Sequence, residues 1–251
     1  MTVDRYALLQ DTCSLLNCGA YKDSAPNGLQ VEGKPTITCV VSGVTASKPL
    51  ITKAIALKAD AILVHHGYFW RGDDPCIVGP FRQKLAMLVE HNINLIAYHL
   101  PLDDHAILGN NAQLAKLMNW SMVGSCHGAP LSRYGQLEKP SKVIQLCHVL
   151  EQKLAHKPHL VVGNPNQIIQ NVAWCTGAAG NLIPQASQAG ADVYVTGEVS
   201  ERHVHLAKEW DIVLIAAGHH ATERYGVMAL GKHWAKQYNI NHQFVEIYSP
   251  V

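Results

Sequence analysis

Two stretches of the chain share one pattern, and that pattern decides the predicted fold. The run KADAILVHH occupies positions 58–66, and the run GADVYVT occupies positions 190–196. In each, an Asp precedes a short apolar run of the length and composition of a buried β-strand. An earlier apolar run and a helical pattern come before both, at 40–58 and at 172–189. Strand, helix and strand in this order predict a βαβ unit with parallel strands.

The two stretches indicate an internal repeat. Asp60 and Asp192 are 132 positions apart, and LIAYHLPLD at 95–103 is echoed by LIAAGHHATE at 214–223 with an offset of 120 between His99 and His219. The first half is therefore twelve residues longer, and the loop 67–80 can hold this surplus. Two unrelated βαβ units can also share similarity this loose, so duplication and coincidence both stay open.

The fold class we predict is α/β, with two similar α/β halves at 1–125 and 126–251 and no inserted domain. The turn-rich stretch Gly124–Pro140 is where we expect the halves to meet. The candidate strands are 37–44, 61–64, 94–97, 159–162, 172–175, 192–196, 212–216 and 243–247. The candidate helices are 49–58, 81–91, 141–154, 185–189 and 200–210.

Composition and charge exclude several classes of protein. The 251 residues are 48% hydrophobic and 16% charged, which is far from the profile of a disordered chain. A net charge of +1 disfavours a non-specific nucleic-acid binder. Seven cysteines without a Cys-x-x-Cys pair indicate reduced thiols. The sequence shows neither a signal peptide nor a membrane span, which predicts a cytoplasmic protein.

Fifteen histidines point to metal chemistry, because His is the commonest metal ligand. His65 and His66 directly follow the strand at 61–64, and neighbouring side chains of a strand point to opposite faces. His219 and Glu223 share one face of a helix at i and i+4, and Asp103 follows another strand. Any one of these histidines can instead be a structural cap. Together they suit two metal ions better than one.

Other candidates have weaker support. His99 lies four residues before Asp103. It is a candidate for a sixth ligand, an outer-shell partner or a proton shuttle. His220 turns away from His219 on a helix, and we expect His233 and His242 at the surface. The turn sequence at 24–31 and the strand-to-helix connection TGAAGN at 176–181 are equally consistent with ordinary loops.

Five motifs together carry a resemblance to a known family. They are NGLQV at 27–31, LVHHG at 63–67, the His99 and Asp103 pair, TGEVSE at 196–201 and GHHATER at 218–224. On these motifs the sequence resembles the Nif-three-like, or YbgI-like, dinuclear-metal proteins, often labelled GTP cyclohydrolase I type 2 homologues. The resemblance covers essentially the whole chain. It implies two α/β halves facing each other across a metal site and the metal ligands His65, His66, Asp103, His219 and Glu223.

The leading functional hypothesis is a metal-dependent hydrolase of a nucleotide-like small molecule, with His99 as catalytic proton shuttle. The cofactors would be two divalent ions, and the His and carboxylate ligands favour Zn, Fe, Mn or Ni without choosing among them. Two alternatives belong to other classes. One is a metal-binding scaffold linked to nucleic acid or DNA repair, and the other is a di-iron redox protein.

We also expect self-association. The family resemblance implies a homohexameric ring, and Tyr68, Phe69 and Trp70 lie in the surplus loop, where a monomer would expose them. The alternative is that Phe69 and Trp70 fold back over the metal site.

Overall fold

The computed structural model describes residues 1–251 and contains thirteen β-strands and nine α-helices. The strands are β1 Val3–Asp4, β2 Gly28–Val31, β3 Thr36–Ile37, β4 Cys39–Thr45, β5 Ala61–His66, β6 Asn94–Ala97, β7 Ser121–Cys126, β8 Ala129–Lys142, β9 His159–Val162, β10 Ile168–Cys175, β11 Val193–Thr196, β12 Val213–Ala216 and β13 Asn241–Phe244. The helices are α1 Arg5–Leu15, α2 Lys48–Ala56, α3 Gly79–Glu90, α4 Leu100–Asp104, α5 Asn110–Met118, α6 Val143–Leu154, α7 Ile183–Gln188, α8 Glu201–Glu209 and α9 His219–Tyr238. The fold is α/β, as the sequence predicts.

The chain forms two compact units, and each is built from two separate stretches. Unit 1 comprises Met1–Leu102 and Gly226–Ile247, and unit 2 comprises Asp103–Tyr225 and Tyr248–Val251. These bounds differ from the continuous halves 1–125 and 126–251. The physical reason is that β13, near the end of the chain, pairs with β4 and so belongs to the first sheet.

Unit 1 is organised around a five-stranded sheet in the order β13-β4-β5-β6-β2. The first four strands are parallel, and β2 is antiparallel to β6. Apolar residues of the central strands, such as Val41, Ile62 and Leu95, pack with Leu50 of α2 and Leu88 of α3 in one buried cluster. Because helices cover these parallel strands, the sequence of each central strand is almost wholly apolar.

Unit 2 contains a six-stranded sheet in the order β7-β8-β10-β11-β12-β9. Strands β10, β11 and β12 are parallel, whereas β8 and β9 are antiparallel to their neighbours. One buried cluster joins the sheet to Leu114 of α5 and Leu150 of α6. A second joins it to Ile183 of α7 and Ala207 of α8. The sheet is thus covered by helices on two sides.

The internal repeat is present in the topology. In unit 1 the strands β2, β4, β5 and β6 lie in the spatial order β4-β5-β6-β2, and in unit 2 the strands β9 to β12 lie in the order β10-β11-β12-β9. The registers also agree, because Val40 is opposite Ala61 and Val172 is opposite Val193, both at the offset of 132. Similarity at the level of strand order and register goes beyond what any two βαβ units share.

The two repeat-equivalent aspartates explain why the pattern includes an acid before the strand. Asp60 Oδ2 accepts hydrogen bonds from the backbone N–H of Thr38 and Cys39 and from the Thr38 hydroxyl, and Oδ1 accepts one from Lys34. Asp192 accepts from the backbone N–H of residues 170 and 171. Asp60 therefore ties the start of β5 to the chain entering β4, and Asp192 ties the start of β11 to residues within β10.

Some expectations from the sequence were wrong. The stretch Gly124–Pro140 is not a junction of halves but most of the β7–β8 hairpin, because Ser121 pairs with Gln136 and Cys126 with Ala129. Its glycines include Gly128, which has a φ of +72° in the turn. The strand expected at 243–247 is present as β13 with shifted bounds, since it begins at Asn241, in register with Cys39, and ends at Phe244.

No helix of the chain combines the length and apolar character that crossing a membrane requires.

Asp60 gives a direct test of this architecture. Burial would raise the pKa of its carboxyl, but the hydrogen bonds from Lys34, Thr38 and Cys39 outweigh burial and hold the pKa below its usual range. We expect Asp60→Asn to lower the free energy of unfolding by about 1.5–3 kcal/mol at pH 7, the range for hydrogen bonds to a charged group. Urea denaturation measures this.

Because the folded-state pKa of Asp60 is lowered, its contribution is present above the unfolded pKa of about 3.9 and is lost as the pH falls through the folded-state value. The difference between wild type and variant should therefore shrink in acid. Asp211→Asn is the control, since Asp211 is exposed and its left-handed backbone suits Asn. Equal effects of the two substitutions at pH 7 would contradict the role of Asp60.

Candidate metal centre

Three histidines meet at the carboxyl ends of two parallel strands in unit 1. His65 and His66 end β5, and His99 follows β6, which is paired with β5 so that Ala97 lies opposite Val64. One ring nitrogen from each histidine lies within 4.8 Å of the others. This is the edge at which open α/β sheets bind ligands.

His65 is oriented by the backbone. Its side chain is buried, and Nδ1 lies 2.9 Å from the carbonyl oxygen of Tyr98. A carbonyl only accepts, so Nδ1 carries the proton and donates it, which makes Nε2 the nitrogen with the lone pair. Metal-binding histidines are commonly fixed in this way.

His99 is oriented by a carboxylate that the sequence analysis missed. Its Nδ1 lies 2.7 Å from Oδ1 of Asp23, whose Oδ2 accepts from the backbone N–H of Leu100 and from the side chain of Asn27. Asn27 in turn accepts the backbone N–H of His99. Burial would raise the pKa of Asp23, but the hydrogen bonds from His99, Asn27 and Leu100 lower it well below its usual range. The turn sequence at 24–31 thus holds the region around His99 in place.

Trp70 covers the histidine cluster of unit 1. Its ring lies 6.0 Å from that of His66 and 4.9 Å, edge to face, from that of His99, measured between ring centroids. Tyr68 is buried, and its hydroxyl donates to the carbonyl of Ala46. Only Phe69 of the three loop aromatics is exposed. The expectation that all three are exposed was therefore wrong, because Tyr68 and Trp70 pack inward.

In unit 2, His219 lies between two carboxylates at the start of α9. Its Nε2 is 3.0 Å from Oε2 of Glu223, and its Nδ1 is 2.9 Å from Oε2 of Glu198. Burial would lower the pKa of His219, but its hydrogen bonds and charge interactions with Glu223 and Glu198 raise it to about 9. Glu198 corresponds to His66 at the repeat offset of 132, which is the signal by which the sequence could have revealed it.

Asp103 belongs to the same group of unit 2. It is buried, and its Oδ1 accepts hydrogen bonds from the side chains of Asn110 and Thr176. A carboxylate oxygen of Asp103 lies within 4.8 Å of one of Glu223. Two buried carboxylates so close repel each other unless a cation or a proton lies beside them.

A glycine makes room for Glu223. Gly177 has a φ of +69°, and a Cβ built on it would lie 2.2 Å from Oε1 of Glu223. The N–H of Gly177 donates to Thr222 and that of Ala179 donates to Thr196. The connection 176–181 therefore packs beneath Glu223 and uses these N–H groups internally, which disfavours an anion site there.

The donor set fits hard or borderline divalent ions. Imidazole and carboxylate groups suit Zn, Fe, Mn and Ni. A thiolate ligand is disfavoured, because burial raises the pKa of the Cys175 thiol and the charges of Asp103 and Glu223 raise it further. All seven cysteines are free thiols, as predicted.

The predicted site residues fall into two groups. The structure brings together His65, His66 and His99 in unit 1, and in unit 2 it places Glu223 beside both His219 and Asp103. His242, expected at the surface, is partly buried with its Nε2 2.8 Å from the Ser42 hydroxyl. Burial lowers the pKa of His242 to about 4, so it is neutral at pH 7.

A repeated α/β fold with His and carboxylate clusters at its strand ends defines a class of candidate metal-binding proteins. The sequence profile of the Duf34/NIF3 family (NGG1p interacting factor 3) matches residues 3–250. The chain belongs to this family, as the motifs indicated.

Relatives and solved structures agree with this assignment. The chain is 45% identical, over the full length of both proteins, to the GTP cyclohydrolase 1 type 2 homolog of Pseudomonas aeruginosa. It is 45% identical to the protein of the same name from Escherichia coli K12, with 94% of each chain covered. The solved structure titled protein ybgI, unknown function, has a TM-score of 0.95 at 43% identity and covers 99% of this chain and 100% of that one. Thermus thermophilus TTHA1606 has a TM-score of 0.88 at 31% identity, with the same coverage.

The environment of His219 leads to a pH prediction. In metal-free protein the imidazole of His219 should titrate near pH 9, measured by NMR of the ring. Glu198→Gln removes one charged acceptor and should move the midpoint toward the ordinary value of about 6.5. Since the proton must leave before a metal binds, metal affinity should fall as the pH falls below 9. A wild-type midpoint near 6.5 would contradict this electrostatic account.

Proposed function

We propose that the chain is a dinuclear metal-binding protein and a metal-dependent hydrolase of a nucleotide-like small molecule. The proposed ligands of the two divalent ions are His65, His66, Asp103, His219 and Glu223. The observation that carries the proposal is that each unit concentrates imidazole or carboxylate donors at the carboxyl ends of its repeat-related strands.

The buried acids in unit 2 are the strongest support. Glu223 is 2% exposed and Asp103 is 7% exposed, and their carboxylates approach each other within 4.8 Å. Such a pair of negative charges would be stabilised by divalent cations that neutralise it, and Glu223 and Asp103 would be among the residues that hold them. The histidines of unit 1 bring neutral donors and add no further negative charge.

The proposed roles of the protein groups follow from their hydrogen bonds. When bound, a pair of divalent ions supplies Lewis acidity and activates water at neutral pH. His99 is our proposed proton shuttle. Asp23 holds its Nδ1, which leaves Nε2 as the nitrogen that accepts a proton from the substrate or water and returns it. Asp23 is a positioning residue, which keeps the imidazole in one tautomer. Trp70 shields the rings of His66 and His99 from water on one side.

The nucleotide-like substrate rests on the relatives. Curated relatives at 45% identity carry the name GTP cyclohydrolase 1 type 2 homolog, and we extend the substrate class, though not a particular compound, to this chain.

We also propose a homohexamer. Exposed apolar residues such as Ile107 and Val123, the latter on the edge strand β7, support an assembly contact. Light scattering should give about six times the mass of one 27.5 kDa chain, and a monomer mass would contradict the assembly.

The metal assignment is tested by paired substitutions on α9. Glu223→Gln keeps the volume but removes a charge that offsets the dications, so the metal content per chain should fall while the circular dichroism spectrum is unchanged. His220→Ala, one position after His219, is the control and should retain the metal. Metal analysis after purification without added metal measures both. Equal losses in the two variants would show that the assignment of the helix face is wrong.

The role of His99 is tested separately. His99→Ala should retain metal but lower turnover of a probe substrate such as GTP about 10²- to 10⁴-fold, the range for loss of a general acid or base. Asp23→Asn should lower turnover less and shift its pH profile, because the imidazole remains present but is less firmly held.

Chelation should abolish turnover in the wild type. Loss of metal from His99→Ala would identify His99 as a ligand instead, and turnover that survives chelation would overturn the hydrolase.

A further inference from the structure

Two neutral side chains of unit 2 hold one of the two carboxylate oxygens of Asp103. Oδ1 accepts a hydrogen bond from the Asn110 side chain at 2.9 Å and another from the Thr176 hydroxyl at 3.2 Å. All three residues are buried, and Asn110 is fully inaccessible. A carboxylate oxygen has two lone pairs, so these two donors saturate Oδ1. They therefore determine which oxygen Asp103 can present to a metal ion.

Asn111, the second residue of α5, brings the two donors together. Its Oδ1 accepts the backbone N–H of Thr176 at 3.1 Å, and its Nδ2 donates to the backbone carbonyl of Asp103 at 3.3 Å. The carbonyl of Asn111 accepts the indole N–H of Trp174 at 3.0 Å. The start of α5 is thereby joined both to the end of β10 and to the chain at Asp103. For this reason Asn110 and Thr176 converge on one oxygen.

Two glycines beside the donors allow this close packing. Gly109 comes directly before α5, and a Cβ built on it would lie 2.8 Å from the carbonyl oxygen of Asp103. Gly177 follows Thr176 and leaves the space that Oε1 of Glu223 occupies. Consecutive residues after β10 thus serve both buried carboxylates, because Thr176 donates to Asp103 while Gly177 makes room for Glu223.

The chemistry of the two donors suits a metal ligand. An amide and a hydroxyl are neutral, so they orient the carboxylate without cancelling its charge. Asp60 in unit 1 differs in this respect, because one of its donors is the ammonium group of Lys34 at 2.6 Å. Ligating carboxylates in metal sites are commonly held by such hydrogen bonds from further residues.

We propose that Asn110 and Thr176 are positioning residues that make Asp103 a metal ligand through one oxygen, with Oδ1 held by the protein and Oδ2 presented to the ion. The inference rests on the proposed function, because the orientation of Asp103 matters to a metal only if Asp103 is a ligand. It adds two residues to the centre and assigns the coordination mode of a third.

The first measurement is the affinity of the full-length protein for Zn²⁺, by competition with a chromophoric chelator. Thr176→Val keeps the shape of the side chain but removes the hydroxyl, and it should weaken Zn²⁺ binding about 10- to 100-fold, the usual loss for a residue that orients a ligand. Asn110→Ala should act in the same direction. Thr176→Ser retains the hydroxyl and should bind Zn²⁺ as the wild type does.

Infrared spectroscopy of the Zn²⁺-loaded protein tests the coordination mode itself. The antisymmetric and symmetric carboxylate stretches are far apart when one oxygen binds a metal and closer together when both do. With ¹³C-labelled Asp, the bands that disappear in Asp103→Asn identify this residue. The wild type should show the wide separation, and the double variant Asn110→Ala/Thr176→Val, in which Oδ1 loses both donors, should show a narrower one. A narrow separation in the wild type would overturn the inference.

The matched control is Thr12→Val. The Thr12 hydroxyl is buried in unit 1, donates to the carbonyl of Leu8 and accepts the indole N–H of Trp234, so neither of these partners is a carboxylate. Thr12→Val should lower stability in urea, as Thr176→Val does, but leave the Zn²⁺ affinity unchanged.

Equal weakening of Zn²⁺ binding in the two valine variants, or wild-type affinity in Thr176→Val, would contradict the positioning role. If Glu223→Gln still loses metal in that case, the positioning role alone is refuted. Wild-type protein that binds no Zn²⁺ would instead refute the metal centre, and the inference with it.

Discussion

The buried carboxylate of Asp60 fixes where the central strands of unit 1 lie. It joins the chain entering β4 to the start of β5 through two backbone N–H groups and the Thr38 hydroxyl. With the starts of the strands fixed, the parallel register sets their ends, so that Thr45 lies opposite His66. In unit 2, Asp192 joins the start of β11 to two backbone N–H groups within β10, those of residues 170 and 171. The positions of the candidate ligands therefore depend on groups at the opposite ends of the strands.

The repeat has a chemical counterpart in the pairing of each equivalent histidine with a carboxylate. His99 contacts Asp23 and His219 contacts Glu198, in both cases through Nδ1. The units differ in what surrounds this pair. In unit 1 the neighbours are two further imidazoles, whereas in unit 2 the neighbour is the carboxylate of Glu223, which itself lies beside that of Asp103. Duplication followed by divergence would give such a result, with one unit supplying neutral donors and the other supplying negative charge.

Much of the fold was predictable because the parallel strands are buried on both faces and appear in the sequence as apolar runs. The bounds of β6 and β9 agree with the prediction, and the ligand candidates follow from strand ends and from the i, i+4 pair on α9. The β7–β8 hairpin was missed, because the glycines and prolines within it also indicate loops. Asp23 was missed because 76 positions separate it from its partner His99. Glu198 was missed because its repeat equivalent His66 is a different residue type, so only the offset of 132 relates the two positions. The strand β13 lies near the end of the chain but belongs to unit 1, because it pairs with β4. No local sequence pattern specifies this pairing.

The proposed pair of metal ions, held by His and carboxylate side chains, can be detected by X-ray absorption spectroscopy of metal-loaded protein. We expect only nitrogen and oxygen neighbours around the metal, about two ions per chain and a metal–metal distance of about 3.5–4 Å. Sulfur in the coordination shell, or a single ion per chain without a metal neighbour, would contradict the proposal.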